Sequence, residues 1–309
     1  MLFEANLISG FFVVDKPAGI TSHDVVSRMR RILGTSKVGH TGTLDPFATG
    51  VLPIAVNEGT KAIPFLDEKV KCYEAVMRLG IVTDTLDLTG KVLEEKECSA
   101  VDREQLTAVI KQFTGVSSQT PPMYSAIKHG GQPLYKMARM GQEVIREPRR
   151  IEINAMEIFY FAPPLVSFRV VCSRGTYIRS LAYDIGNVLG CGAALKELRR
   201  TASGQFDISR AVSLDALQEY VERGCTAEFC ISPYVALAHL EDVPLTEAGR
   251  AKVAHGKSPD WRETACNEAV PIVSASLVRL SWKNKLVAVA EIKPENNAGS
   301  RIVLKRVFN

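Results

Sequence analysis

Within the stretch Gly39 to Leu52, G-H-T-G-T-L-D-P-F-A-T-G-V-L, the chain gathers three glycines, three threonines, one proline and one carboxylate. Gly39, Gly42 and Gly50 admit positive φ or the close approach of a second backbone. Thr41, Thr43 and Thr49 can bond nearby backbone groups and stiffen such a loop. Asp45 is its only acid, and His40 lies five residues before it. Apolar runs flank the loop, Phe11 to Val14 before it and Val51 to Val56 after it. A tightly specified polar loop on a packed scaffold is where binding and catalytic groups sit. The Asp-Pro pair also has the form of a helix N-cap followed by proline. From the loop alone Asp45 is therefore either a catalytic carboxylate or a cap, and His40 reads as a hydrogen-bonding group.

The segments around this loop predict its scaffold. Phe11 to Val14 is a short strand, followed by the turn D-K-P-A-G-I-T-S. Thr21 or Ser22 then caps a helix with the stripe Val25, Val26, Met29, Ile32 and Leu33, stopped by Gly34. Arg28, Arg30 and Arg31 on its other face either complement the helix C-terminus or meet a polyanion. Lys71 to Leu79 alternates as a strand with Tyr73, Ala75, Met77 and Leu79 on one face. In T-D-T-L-D, Asp84 and Asp87 read as turn-capping groups. Asp102 to Gly115 is an amphipathic helix through Leu106, Val109, Ile110 and Phe113.

From Gln119 to Arg150, Lys128, His129, Lys136, Arg139, Arg146, Arg149 and Arg150 are interleaved with Tyr124 and Tyr135. Cations suit phosphates and aromatics suit unstacked bases, so this segment is either an RNA grip or a solvated insertion. Ile151 to Val171 gives two strands around Pro163-Pro164. A helix follows with the stripe Ile178, Leu181, Ala182 and Ile185, and Arg179 falls off that stripe. Residues 213 to 224 form another helix, and Cys225 to Leu240 reads as a linker. Beyond Glu241 come short strands, Ser276 to Trp282 and Val287 to Ile292, and the basic end R-I-V-L-K-R-V-F-N.

The chain has 309 residues, 46% of them hydrophobic and 23% charged, with a net charge of +4, so a large domain with a small one is expected. Seven scattered cysteines form no Cys-x-x-Cys pair, which points to a reduced, cytoplasmic protein without structural metal. No apolar run approaches the eighteen or so residues of a membrane helix. The N-terminus, M-L-F-E-A-N-L-I-S-G, has no basic region ahead of an apolar one, as a secretory signal would.

The loop extended to Ile54, G-H-T-G-T-L-D-P-F-A-T-G-V-L-P-I, resembles the signature of the TruB family, the bacterial tRNA pseudouridine-55 synthases, with Phe47 where the family usually has Leu. Further segments are similar to the same family: K-P-x-G-x-T-S from Lys16, K-C-Y-E-A-V-M-R-L-G around Tyr73, Q-T-P-P-x-Y-S-A-x-K from Gln119, S-R-G-T-Y-I-R-S around Arg179, and A-L-K-E-L-R-R after it. The resemblance implies an α+β fold, a mixed and mostly antiparallel sheet flanked by helices. It places a catalytic domain at 1–240, with an RNA-binding insertion near 117–150. A small β-barrel of the PUA type would occupy 241–309.

It also implies roles. Asp45 would be the nucleophile, Arg179 its ion-pair partner, and Tyr73 the ring that stacks on the target base. Tyr177 would belong to the base pocket, Leu198 to its apolar wall, and Lys16 to the neighbourhood of the site. His40 would fill the place of the flipped base. The residues themselves leave plainer roles open: core for Tyr73 and Leu198, surface for Arg179 and Lys16. The implied reaction is uridine to pseudouridine in the T arm of tRNA, by a monomer that needs neither metal nor organic cofactor. Two other functions stay open, a synthase for ribosomal or guide-directed targets and a tRNA-binding or tRNA-folding protein.

Overall fold

The computed structural model describes residues 8–266, 275–295 and 299–308. Met1–Leu7, read above for a secretory signal, and Asn309 of the basic C-terminal run lie outside the described residues. The run F-F-V-V lies in β1 (Gly10–Lys16), with Phe12 and Val14 in one core and Phe11 and Val13 in another, all buried. Consecutive apolar residues require cover on both faces of a sheet, and this sheet has it.

The sheet grows in chain order through β2 (Val38–His40), β3 (Thr49–Val56) and β4 (Val70–Leu79). β5 (Ile81–Thr83) and β6 (Val92–Glu95) form a separate hairpin, after which β7 (Gly115–Gln119) rejoins the sheet. β8 (Lys128–His129) and β9 (Gln132–Pro133) pair with each other. β10 (Arg149–Ala162), β11 (Leu165–Ser173), β12 (Ala193–Ser203) and β13 (Phe206–Asp207) complete it. The order is β1-β3-β12-β4-β11-β10-β7, with β2 beside β3 and β13 beside β12. Every pairing in it is antiparallel except β12 with β3. The expected mixed, mostly antiparallel sheet is therefore present.

Helices α1 (Ser22–Leu33), α3 (Arg103–Phe113), α5 (Ile178–Val188) and α6 (Leu214–Glu222) pack their apolar stripes on one face, with the short α2 (Gly59–Ala62) and α4 (Leu134–Arg139) between them in sequence. α1 follows its sequence signals. Thr21 and Asp24 form a capping box, and Gly34 ends the helix at φ 61°. Arg30 on α1 donates to the Val38 carbonyl at 3.3 Å.

The chain leaves the sheet after Gln119 and re-enters at Arg149. One expectation changes. Cys225 to Leu240 is no linker. It contains α7 (Pro233–Ala236), Ile231 pairs with Phe11, and Ile231, Ala236 and Leu237 lie in the second core with Phe11, Val289 and Phe308. Its alternation of small and polar residues concealed apolar groups that only the distant strands cover. The C-terminal part, β14 (Glu241–Pro244), α8 (Glu247–Ala254), β15 (Ser276–Trp282), β16 (Lys285–Glu295) and β17 (Gly299–Val307), is a four-stranded sheet in that strand order. Among the described residues β14 and β17 do not pair, so no closed barrel is seen there. No described helix is long and apolar enough to cross a membrane.

Candidate active site

The loop containing Asp45 is the excursion between β2 and β3, whose antiparallel pairing closes it from Val38↔Val56 to His40↔Ile54. Asp45 starts a β-turn, its carbonyl accepting from the Ala48 amide at 3.1 Å with Pro46 between. No helix follows, which removes the helix-cap alternative. Of the three glycines only Gly50 needs positive φ, at +99°. A Cβ there would lie 2.2 Å from the Arg200 carbonyl. Parallel β12 runs so close to this point that no side chain fits.

Buried side chains grip the loop from beneath. Lys16, read as a site-neighbouring or surface lysine, is fully buried. Its ammonium donates to the carbonyls of Pro17, Pro46 and Ala48 at 2.9, 3.1 and 2.7 Å. Burial pulls its pKa down, and the charge of Asp45 pulls it back. Ser22, the first residue of α1, accepts from the Leu44 amide and donates to the Leu44 carbonyl. Arg200 is also fully buried and donates to the carbonyls of Val51, Thr43 and Gly42 at 2.7, 3.4 and 3.1 Å. Two of the threonines bond outward rather than locally. Thr41 donates to the Glu68 carboxylate, and Thr49 accepts from Arg199. Lys71 lies beside Gly42, its pKa pushed down to about 8 by burial and then by Arg200.

With its carbonyls held, the loop presents the Asp45 side chain upward, about one-third exposed, against Arg179, which is 3% exposed. Arg179 donates from Nε and an Nη to the two carboxylate oxygens at 2.8 and 3.1 Å. This is the bidentate geometry that fixes a carboxylate's plane as well as its position. The same guanidinium donates to the Thr85 carbonyl at 2.7 Å and the Tyr124 carbonyl at 2.8 Å. Asp87 stands 3.7 Å from its Nε and is itself held by Thr85 and Thr89. Arg179 is thus not a surface residue. It is the buried junction of the loop, the turn after β5 and the start of the insertion.

Tyr73 and Arg200 are direct partners across β4 and β12, and the Arg200 charge acts on the Tyr73 phenol. Burial raises the pKa of that phenol, so it stays protonated, and the charge of Asp45 reaches both it and the phenol of half-buried Tyr177. Leu198 lies one cross-strand step away, opposite Ala75, buried in the same core as Tyr73. His40 ends β2 with a buried Nδ1 that has no hydrogen-bond partner among the described residues. Its pKa is lowered by burial and then by Arg200, which favours the neutral ring.

The sequence reading missed the roles of Arg200 and Glu68 and gave Asp87 only half of its own. Asp87 does cap its turn, as read, but also faces Arg179. One signal was available for Arg200, a cation within a strand of mostly small and apolar residues, where burial demands a partner.

Comparison with known proteins places these residues in a lineage. Residues 30–178 match the family described as TruB family pseudouridylate synthase (N terminal domain), and 179–240 match tRNA pseudouridylate synthase B C-terminal domain. A tRNA pseudouridine synthase B from Geotalea uraniireducens is 51% identical, over 98% of this chain and 98% of that protein. One from Geobacter sulfurreducens is 49% identical over 98% and 100%. Among solved structures, a chain of a Cbf5-Nop10-Gar1 complex superposes with a TM-score of 0.75 at 29% identity, over 99% of this chain and 87% of that one. A chain of an H/ACA RNP bound to a substrate RNA containing 2'-deoxyuridine gives 0.75 at 28%, with the same coverage.

Proposed function

The chain belongs to the TruB family of pseudouridylate synthases, and we propose that it acts at uridine 55 in the T-loop of tRNA, with Asp45 as the nucleophile. It is an isomerase that converts uridine to pseudouridine in tRNA. The observation that carries the proposal is the forked contact of buried Arg179 with Asp45 on a loop whose backbone is gripped from below.

The reaction balances within the substrate. The bond from N1 of uracil to C1′ of ribose breaks, the ring turns, and a C5–C1′ bond forms. The C5 proton is lost and N1 gains one. A stacked base must first leave its loop, at a cost of a few kcal/mol. Tyr73 offers a ring against which the flipped base can rest, with Tyr177 and Leu198 completing the pocket and neutral His40 beside the vacated position. Asp45 attacks while Arg179 holds the carboxylate in one plane, so the geometry is set before the substrate arrives. Residues 1–240 form the catalytic unit in this reading, and 241–309 a second RNA-binding unit.

The insertion 120–148 and the strand after it supply the grip. Lys128, Lys136, Arg139 and Arg149 are exposed, and Arg139 lies 5.7 Å over the Tyr135 ring. Arg146 differs, because it donates inward to the Pro121 carbonyl. Replacing Lys128, Lys136 and Arg149 with alanine should lower the salt slope of tRNA binding by about one unit per lost phosphate contact, measured by filter binding. The rate at saturating tRNA should change little. An unaltered slope would make these side chains a solvated surface.

The likeness to a chain of an H/ACA RNP bound to a substrate RNA keeps the guide-directed reading open, but identity near 50% to tRNA enzymes against 28% there favours tRNA. Incubation with equal amounts of unmodified tRNA and ribosomal RNA separates the cases. Pseudouridine should form in the tRNA without added guide. Product in ribosomal RNA alone, or binding without product, would overturn the proposal.

A further inference from the structure

Gln119 is the last residue of β7, the edge strand from which the chain departs into the insertion. Its backbone is held in the sheet opposite Arg149, and its side chain is 4% exposed. That side chain reaches the start of α5. Its Nε2 donates to the Tyr177 carbonyl at 3.1 Å, and its Oε1 accepts from the Tyr177 amide at 2.8 Å. The primary amide thus pairs with both polar groups of one extended residue, as a neighbouring strand would. Tyr177 is the N-cap residue of α5 and provides no side-chain cap of its own. Its carbonyl also takes the first helical bond, from the Leu181 amide at 3.0 Å.

Two further bonds stitch the same segments. Ser180 donates to the Thr120 carbonyl at 3.3 Å, and Arg179 to the Tyr124 carbonyl at 2.8 Å. Only Gln119 among these donors and acceptors has its own backbone fixed in the nine-stranded sheet on the insertion side. It therefore references the position of Tyr177, and of Arg179 two residues later, to the rigid scaffold rather than to the insertion. A buried side chain chosen for packing alone would be apolar, since amide burial costs free energy unless both ends are bonded. Here both ends are bonded, and to the residue that precedes Ile178 and Arg179.

We infer that Gln119 is a positioning residue for the isomerisation: its amide fixes the Tyr177 backbone and with it the relative placement of the Tyr177 ring and the Arg179 fork against Asp45. This rests on the active-site reading given above. Gln119 bonds to Tyr177 and not to Asp45 or Arg179, so its loss should leave RNA affinity intact and slow the chemical step. The expected loss in kcat is about ten- to a hundredfold, the scale on which ångström-sized misplacement of reacting groups is felt.

The test is single-turnover pseudouridine formation on unmodified tRNA, with tRNA Kd and thermal melting, for Gln119→Met and Gln119→Asn. Met keeps the length and removes both bonds. Asn keeps the amide but is one methylene too short to reach, and it serves if the Met variant melts early. A fall in the rate constant with Kd and melting near wild type supports the inference. Wild-type rates in both variants, or a loss that appears in Kd or melting alone, overturn it. Asp45→Asn run alongside separates the two levels. If Asp45→Asn is inactive while both Gln119 variants turn over normally, this inference alone fails. If Asp45→Asn is active, the active-site reading fails and this inference with it.

Discussion

Asp45→Asn should fold, bind tRNA and form no measurable pseudouridine, a loss of at least ~10⁴-fold in single-turnover rate, of the order seen when an enzyme's nucleophile is removed. The substitution is nearly isosteric, and Asn can still accept one bond from Arg179. The guanidinium retains the Thr85 and Tyr124 carbonyls and Asp87, so it is not left uncompensated. With the Asp45 side chain about one-third exposed, the stability cost should be about 1–2 kcal/mol, read by urea unfolding. Asn begins a β-turn as readily as Asp does, so a merely structural Asp45 would tolerate the change. Near-normal turnover would remove Asp45 from the chemistry.

Arg179→Lys should be the next most damaging change, lowering the rate by about 10²–10³-fold, the scale of losing a preorganised donor to the reacting groups. Lysine keeps the charge but carries its three donors on one atom. Arg179 spreads its bonds over three nitrogens, Nε and one Nη on Asp45, that same Nη also on the Tyr124 carbonyl, and the other Nη on the Thr85 carbonyl, and one ammonium cannot occupy all three places. At least one buried carbonyl would lose its partner, at about 1–3 kcal/mol, so melting should fall moderately while the rate falls far more. Comparable activity in the Lys variant would mean that the fork does not orient Asp45.

Local physics made the frame of this protein legible in its sequence. The α1 stripe from Val25 to Leu33, its cap at Thr21 or Ser22 and its Gly34 stop are all read from neighbours a few residues apart, and the structure has the stripe and the stop where they were expected and the cap at Thr21. The alternation from Lys71 to Leu79 likewise put Tyr73 on the buried face of a strand. What could not be read was set by distance along the chain. Arg179 meets Asp45 across 134 residues, and Arg200 reaches Gly42 across 158. The second contact exists because β12 runs parallel to β3, a pairing that no local periodicity encodes. Asp87 was half legible for the same reason. Its turn capping is local, whereas its approach to Arg179 depends on where α5 lands. For Lys16 a surface role stayed open beside a place near the site, because nothing nearby in sequence announces the three carbonyls that surround it.

The most direct test is to incubate the wild-type protein with unmodified tRNA and map pseudouridine nucleotide by nucleotide, with Asp45→Asn in parallel. The account predicts one product site, position 55 in the T-loop, present with the wild type and absent with the variant. Product at other positions only, or product at position 55 that persists in Asp45→Asn, would contradict it.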